Sequence, residues 1–210
     1  MNDNKEWIDI SQPLTNDIAH WPGDEPFSYQ LTFSKDQTGS VNIGQFSSSC
    51  HTGTHIDAPF HFDNKGKKVN DLDITIYIGP AKIIDVSGKN SIDAEYLASF
   101  AIDRVERLLL HTSLPNDPTR FPGEMPVLDP NIAPFLADKG VRLLGVDMPS
   151  VDSAESKDLQ VHHALNTEGI HILENLMLDQ VACGDYELIA LPLALQDADG
   201  SPVRAVIRRL

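Results

Sequence analysis

Short runs rich in Ile, Val and Leu recur along the whole chain, separated by stretches dense in Pro, Gly and Asp. Apolar runs of this length, bounded by turn residues and rich in β-branched side chains, read as strands, because a helix needs a longer amphipathic stretch to bury one face. The pattern predicts strands at 8–10, 27–33, 41–46, 81–86, 107–111, 142–146, 187–191 and 203–207. Helices are predicted at 91–100 and, with clearer punctuation, at 129–140, where Asp129 serves as N-cap, Pro130 sits in the first turn and Gly140 follows the end. So many strands with so few helices between them predict an α/β or α+β fold on a large mixed sheet.

The connections at 112–126 and 195–202 have neither the length nor the bias of a domain linker, so a single domain over 1–210 is expected. With 210 residues, 41% of them hydrophobic, the chain can bury one full core. The proline-rich segment 114–126 is expected at the surface, near a pocket mouth. A formal net charge of −15 repels polyanions, which argues against nucleic acid and anionic membranes as partners and fits a small-molecule enzyme. No stretch approaches the ~20 apolar residues of a membrane span and none has the build of a secretion signal, so the cytoplasm is the expected location. The two cysteines, Cys50 and Cys183, are then expected to stay reduced.

The chemistry is concentrated in the stretch His51-Thr-Gly-Thr-His55-Ile-Asp57-Ala-Pro-Phe-His61, which holds three of the eight histidines. Imidazole nitrogen and carboxylate oxygen are the donors that borderline divalent ions such as zinc accept, and a catalytic ion keeps one position open for water. His51, His55 and Asp57 are candidates to share such an ion. Gly53, Pro59 and the β-branched Thr52 and Thr54 argue against a helix here. A straight strand fails too, since it would carry His51 about 13 Å from His55 at ~3.3 Å per residue. The spacing therefore predicts a kinked strand-to-loop segment hinged at Gly53, where the lack of a Cβ allows a left-handed turn.

A second concentration places His162, His163 and His171 within ten residues, followed by Glu174 beside the apolar run 176–178. A carboxylate there is costly to bury unless it is paired or bound to a cation. Asp57 and Glu174 bring two negative charges, so two divalent ions would leave net positive charge to receive a developing oxyanion, and carboxylates can bridge ions where imidazoles cannot. A thiol nucleophile at Cys50 is disfavoured, because strand neighbours point to opposite faces and Cys50 would not face His51. A storage or structural metal site would ordinarily use thiolates and saturate its ion, which disfavours a non-catalytic protein. Asp152 is read as turn chemistry, and Asp147 either as the same or as a group that orients a metal-binding histidine.

The stretch HTGTHIDAPFH fits the pattern H-x-G-T-H-x-D-x-P-x-H. Together with Trp21-Pro-Gly-Asp24, Gly145-Val-Asp147-Met-Pro-Ser150, Ile172-Leu-Glu174, Tyr186-Glu-Leu-Ile-Ala-Leu-Pro-Leu193 and Gly200-Ser-Pro-Val-Arg-Ala205, it resembles the cyclase-like metal-dependent hydrolases. Within them it looks like the bacterial kynurenine formamidase branch, from Ile8 to the C-terminus. The resemblance implies a swivelling β/β/α cyclase-like fold, a homodimer, and an enzyme with two Zn2+ per subunit. Its implied substrate is an aryl formamide, N-formyl-L-kynurenine, hydrolysed to L-kynurenine and formate in tryptophan breakdown. By motif, His51, His55 and Asp57 would ligate one zinc, Asp57 and Glu174 would bridge, and His162 would complete the second, with the adjacent His163 as alternative. His61 matches the general acid/base and Trp21 a substrate contact. A ring-amide hydrolase of the isatin type would use nearly the same ligands. On this reading the aryl ring supplies most of the recognition, with Trp21, Phe60 and Phe62 as aromatic candidates and core packing as the alternative for both phenylalanines. His61 would protonate the leaving aniline nitrogen.

Overall fold

Three consecutive leucines, Leu108, Leu109 and Leu110, are fully buried on alternate sides of one strand, and that alternation organises the molecule. Leu109 belongs to a core with Ile10, Ile56, Tyr77 and Ile207, whereas Leu108 and Leu110 belong to a second core with Leu136, Leu144, Val146 and Leu165. A strand covered on both faces reads as an unbroken apolar run, as these leucines do.

The computed structural model describes residues 6–114 and 117–210. Its strands are β1 (Ile8–Asp9), β2 (Ser28–Phe33), β3 (Ile43–Ser47), β4 (His55–Asp57), β5 (Ile78–Asp85), β6 (Ser91–Ile92), β7 (Arg107–His111), β8 (Val127–Leu128), β9 (Leu143–Val146), β10 (His171–Glu174), β11 (Gly184–Ile189), β12 (Gly200–Pro202) and β13 (Val206–Arg209). The helices are α1 (Lys35–Thr38), α2 (Ala94–Leu97), α3 (Ile132–Asp138) and α4 (Gln160–Thr167). Nine strands form one mixed sheet in the order β1-β13-β11-β5-β7-β9-β10-β4-β12. The centre, β5-β7-β9-β10, is parallel, and both flanks are antiparallel. Helices α3 and α4 cover the second core with Ile132, Leu136, Val161 and Leu165. The mixed α/β architecture is the one the sequence predicts.

The departures are local. The segment 91–100 is not one helix: it splits into β6 and the one-turn α2, which Asp93 caps by accepting from Tyr96 N at 2.8 Å. Asp129 is not the N-cap of α3. Its own N–H is tied to Ile92 O at 2.9 Å and its carboxylate accepts from Asn131 N at 2.9 Å, so the helix starts after Asn131. Gly140 follows α3 at φ +90°, as predicted. At the C-terminus Val203 only bridges Pro192, and β13 begins at Val206. Strands β2 and β3 form a ribbon apart from the main sheet, with Tyr29, Leu31, Phe33, Ile43 and Phe46 exposed on it. Among the described residues no helix is long and apolar enough to cross a membrane.

Candidate metal centre

The two histidine-rich stretches meet because β4 and β10 are antiparallel neighbours. Their register sets His55 opposite Glu174 and Asp57 opposite Ile172, while β12 sets Gly200 against the other side of Asp57. Gly53 takes the left-handed conformation at φ +68°, and the resulting turn brings the His51 and His55 rings to 5.1 Å. A 3-10 turn over Pro59–His61 then folds His61 back until its ring lies 4.0 Å from that of His51. Helix α4 delivers His162. Asp152 caps its start, accepting from Val161 N at 3.1 Å and His162 N at 3.0 Å.

Asp57 is the hub. Its Oδ1 lies 2.9 Å from His51 Nδ1 and 3.5 Å from His55 Nε2, and its Oδ2 lies 3.2 Å from His162 Nε2. Glu174 faces the same two buried rings, with Oε2 3.3 Å from His55 Nε2 and Oε1 3.9 Å from His162 Nε2. Each of these three imidazoles is fixed through its second nitrogen. His51 Nε2 donates to Asp199 at 3.1 Å, His55 Nδ1 to Gly53 O at 2.8 Å and His162 Nδ1 to Asp152 at 2.7 Å. Anchoring the far nitrogen is how proteins set the tautomer and aim of a metal-binding histidine.

The electrostatics agree with the geometry. Burial opposes charge on His55, yet its hydrogen bonds to Asp57 and Glu174 outweigh that and raise its pKa to about 10. His162 rises to about 10, where burial is overcome by Asp152 and Asp57, and His51 to about 9, where it is overcome by Asp199 and Asp57. Burial would raise the Asp57 carboxyl, but the bonds to His162, His51 and His55 hold it well below the usual carboxylate range. A field that pulls protons onto three imidazoles is a cation-attracting field. Three imidazole nitrogens and two carboxylates, all converging and without thiolate, are a donor set that suits borderline divalent ions, so the residues fit a metal. Asp57 turns one oxygen toward His51 and His55 and the other toward His162, and Glu174 turns one oxygen toward each of His55 and His162.

Of the candidates, the structure brings together His51, His55, Asp57, His61, His162 and Glu174. His163 is exposed and packs against Phe62 at 5.4 Å, so the choice between the adjacent histidines falls on His162. His171 points away and accepts from the Tyr77 hydroxyl at 2.7 Å. Burial and Arg142 lower it to about 4. Asp152 is a correction: it does bond backbone amides, but it also holds His162, the task considered for Asp147. Asp147 instead binds Thr112 through N at 2.9 Å and Oγ1 at 2.6 Å. Asp199 carried no sequence signal beyond a Pro-, Gly- and Asp-rich loop, and Gly200 opened a family-like segment without a role assigned to it. A Cβ at residue 200 would lie 2.6 Å from His51 Cε1, so only glycine leaves that ring its place. Burial, followed by the nearby Asp199, raises the Cys50 thiol, the opposite of an activated nucleophile.

A cavity of about 300 Å³ opens onto the cluster. His51, His55, His61, His162 and Glu174 form its floor, and Trp21 and Phe121, edge to face at 5.2 Å, line its wall. Phe60 lies under Lys68 and Phe62 packs beside the second core, so both phenylalanines serve packing and Phe121 is the aromatic partner that sequence reasoning missed. Leu114, Asp117, Pro118, Arg120 and Pro122 place the proline-rich segment at the pocket, as expected, although its residues 115 and 116 lie outside the described part.

Comparisons with known proteins point the same way. Residues 8–153 match the model of the Cyclase family. The chain is 64% identical over 203 residues to a kynurenine formamidase of Bacillus cereus, covering 97% of each. It is also 64% identical over 205 residues to one of Bacillus cytotoxicus, covering 98% of each. Among solved structures, it resembles a predicted metal-dependent hydrolase from Bacillus stearothermophilus, with TM-score 0.81 and 25% identity over 97% of this chain and 98% of that one. It shares its fold with isatin hydrolase A from Labrenzia aggregata, with TM-score 0.81 and 23% identity over 97% of this chain and 93% of that one.

Proposed function

The chain belongs to the Cyclase family, and from that premise we propose that it is a metal-dependent amidohydrolase that converts N-formyl-L-kynurenine to L-kynurenine and formate in tryptophan breakdown. The observation that carries this is the 64% identity to kynurenine formamidases across nearly the whole chain, with the motif-matched His51, His55, His61, His162 and Glu174 lining one open cavity and Asp57 buried behind them in contact with three of those rings. Isatin hydrolase shares the fold at much lower identity, so a ring amide is the second choice.

In this reading His51, His55 and Asp57 hold one zinc ion, His162 and Glu174 hold a second, and Asp57 and Glu174 bridge them. When bound, such ions activate water for attack at neutral pH and polarise a carbonyl oxygen. The protein supplies the rest. Trp21 and Phe121 offer the aryl ring an apolar wall, which matters because the formyl group itself has little surface to bind. His61, a third exposed at the cavity floor, carries the proton to the leaving aniline nitrogen, since an amine anion leaves poorly. One nitrogen of His61 also lies within 4.8 Å of donor atoms of His51 and Asp57, so a ligand role competes. Metal content decides between them: His61→Ala should lose about 10² to 10⁴ in turnover with zinc content intact, whereas loss of zinc makes His61 a ligand.

Homodimerisation is supported by the β2–β3 ribbon, whose exposed Tyr29, Leu31, Phe33, Ile43 and Phe46 are suited to burial against a second copy. The two free cysteines suit the cytoplasm. One domain over 1–210 is supported by β1 and β13, from the two ends of the chain, pairing in the same sheet. The decisive assay follows L-kynurenine formation from N-formyl-L-kynurenine, with isatin as comparison. Activity should disappear with chelator and return with zinc. Turnover of isatin alone would move the assignment to the ring amide.

A further inference from the structure

Asp199 belongs to neither histidine-rich stretch, yet it reaches both chemical tasks of the site. We propose that Asp199 is a shared positioning residue, one carboxylate that fixes the ring of the metal ligand His51 and aims the ring of the acid/base His61. The inference rests on the formamidase reading above and deepens it.

The same oxygen, Asp199 Oδ2, lies 3.1 Å from His51 Nε2 and 3.7 Å from His61 Nδ1. The two rings are 4.0 Å apart and tilted by 36°, so one carboxylate oxygen serves both members of a close imidazole pair. Its backbone is held from both sides of His61 in the chain, with Ala58 N donating to Asp199 O at 2.8 Å and Val69 N donating to Ala198 O at 3.0 Å. Gly200 follows immediately, paired with Asp57, and its missing side chain lets His51 lie against the backbone. Residues 198–200 thus press on His51 with main chain and hold it with a carboxylate.

The chemistry follows from which nitrogen each bond occupies. A proton on His51 Nε2, donated to Asp199, leaves Nδ1 as the lone-pair donor beside Asp57. A proton on His61 Nδ1, directed at the same carboxylate, leaves Nε2 to face substrate in the cavity that His61 lines. In the reaction His61 Nε2 takes a proton from the attacking water and returns it to the aniline nitrogen as the C–N bond breaks, so His61 ends each cycle as it began, and the formic acid formed ionises to formate and gives its proton to solvent. Asp199 stays ionised throughout and stabilises the imidazolium between the two transfers, and the 3.7 Å separation shortens as that charge develops. Without Asp199 a partly exposed ring has rotamer freedom to lose at each turnover.

Asp199→Asn keeps the shape and removes the charge. Zinc binding to the apoprotein, measured by competition with a chromophoric chelator, should weaken about tenfold. At saturating zinc, kcat for N-formyl-L-kynurenine should fall about 100-fold with KM within about threefold, because aniline needs a proton to leave. Hydrolysis of 4-nitrophenyl formate, whose phenolate leaves unprotonated, should fall less than about tenfold. Asp199→Glu should recover part of the loss, and both variants should melt near wild type by circular dichroism. Equal losses on the two formyl substrates, or unchanged zinc affinity, overturn the proposal while the formamidase assignment stands. A wild-type protein inert toward both overturns the assignment and this inference with it.

Discussion

The two walls of the site are built differently. His55, Asp57, His162 and Glu174 are at most 3% exposed and sit on regular elements, β4, β10 and α4. His51, His61 and Asp199 sit on turns, with side chains 13%, 33% and 43% exposed. A buried wall of charged groups on strands keeps its geometry, which suits holding ions. A partly exposed wall on turns, with His51 as its most buried member, admits substrate and lets protons move. The contrast shows how one cluster of like residue types divides its labour through burial rather than through residue identity.

The largest effect should come from breaking the buried wall. Glu174→Gln removes one of the two carboxylate charges proposed to hold the ions, and kcat/KM should fall by roughly 10⁴, about 5.5 kcal/mol of transition-state stabilisation. Metal per chain, measured by elemental analysis, should fall with it, whereas His61→Ala on the exposed wall should leave metal in place.

Next comes a pH test that shows how local the cation-attracting field is. His171 stands on the same strand as Glu174, but burial and Arg142 hold its pKa near 4 while the unfolded chain takes the proton near 6.5. Falling pH therefore favours unfolding: the stability is fully present above pH 6.5 and is lost progressively toward pH 4, up to about 3 kcal/mol. Denaturant unfolding of wild type against His171→Gln should show a steeper loss for wild type in that window. Parallel curves would place the field over the whole strand.

Asp152→Asn then tests an anchor of the buried wall. It should weaken metal binding by about 10- to 100-fold, as the loss of a carboxylate behind a ligating imidazole typically does. Chelator competition reads it directly, and unchanged affinity would show that the α4 cap, rather than the ring bond, is what Asp152 supplies.

The smallest effect is steric. Gly200→Ala sets a methyl 2.6 Å from His51 Cε1, and overpacking of this kind costs about 1 to 3 kcal/mol. Thermal unfolding should show it, and zinc affinity should fall with it, because the displaced ring is that of the proposed ligand His51.

What the sequence disclosed follows from the same contrast. Five of the site's polar groups were legible outright, because His51, His55, Asp57 and His61 are packed into one motif and Glu174 stands out in an apolar run, while His162 came only through the family resemblance, with the adjacent His163 left open. The central strands were legible for a related reason: the run at 107–111 carries three leucines that only a strand covered on both faces would need. Asp199 was not legible, since its role exists only through the β12–β4 register and nothing in an Asp-rich loop marks one aspartate above another. Nor was Asp152, whose pairing with His162 depends on where α4 begins. The helix at 91–100 failed because Asp93 caps a single turn, and the preceding Ser91 and Ile92 are claimed by pairing with Val127 and Leu128. Strands as short as β4 and β10 show no periodicity of their own, and their polar residues belong to the site rather than to the sheet.

The central claim is that side chains from two distant stretches share a pair of cations. Anomalous diffraction at the zinc edge, from crystals of the protein grown with zinc, tests it most directly. The account predicts two peaks roughly 3.5–4 Å apart between Asp57 and Glu174, one beside His51 and His55 and the other beside His162. A single peak, or a peak that leaves Glu174 uncoordinated, would contradict it.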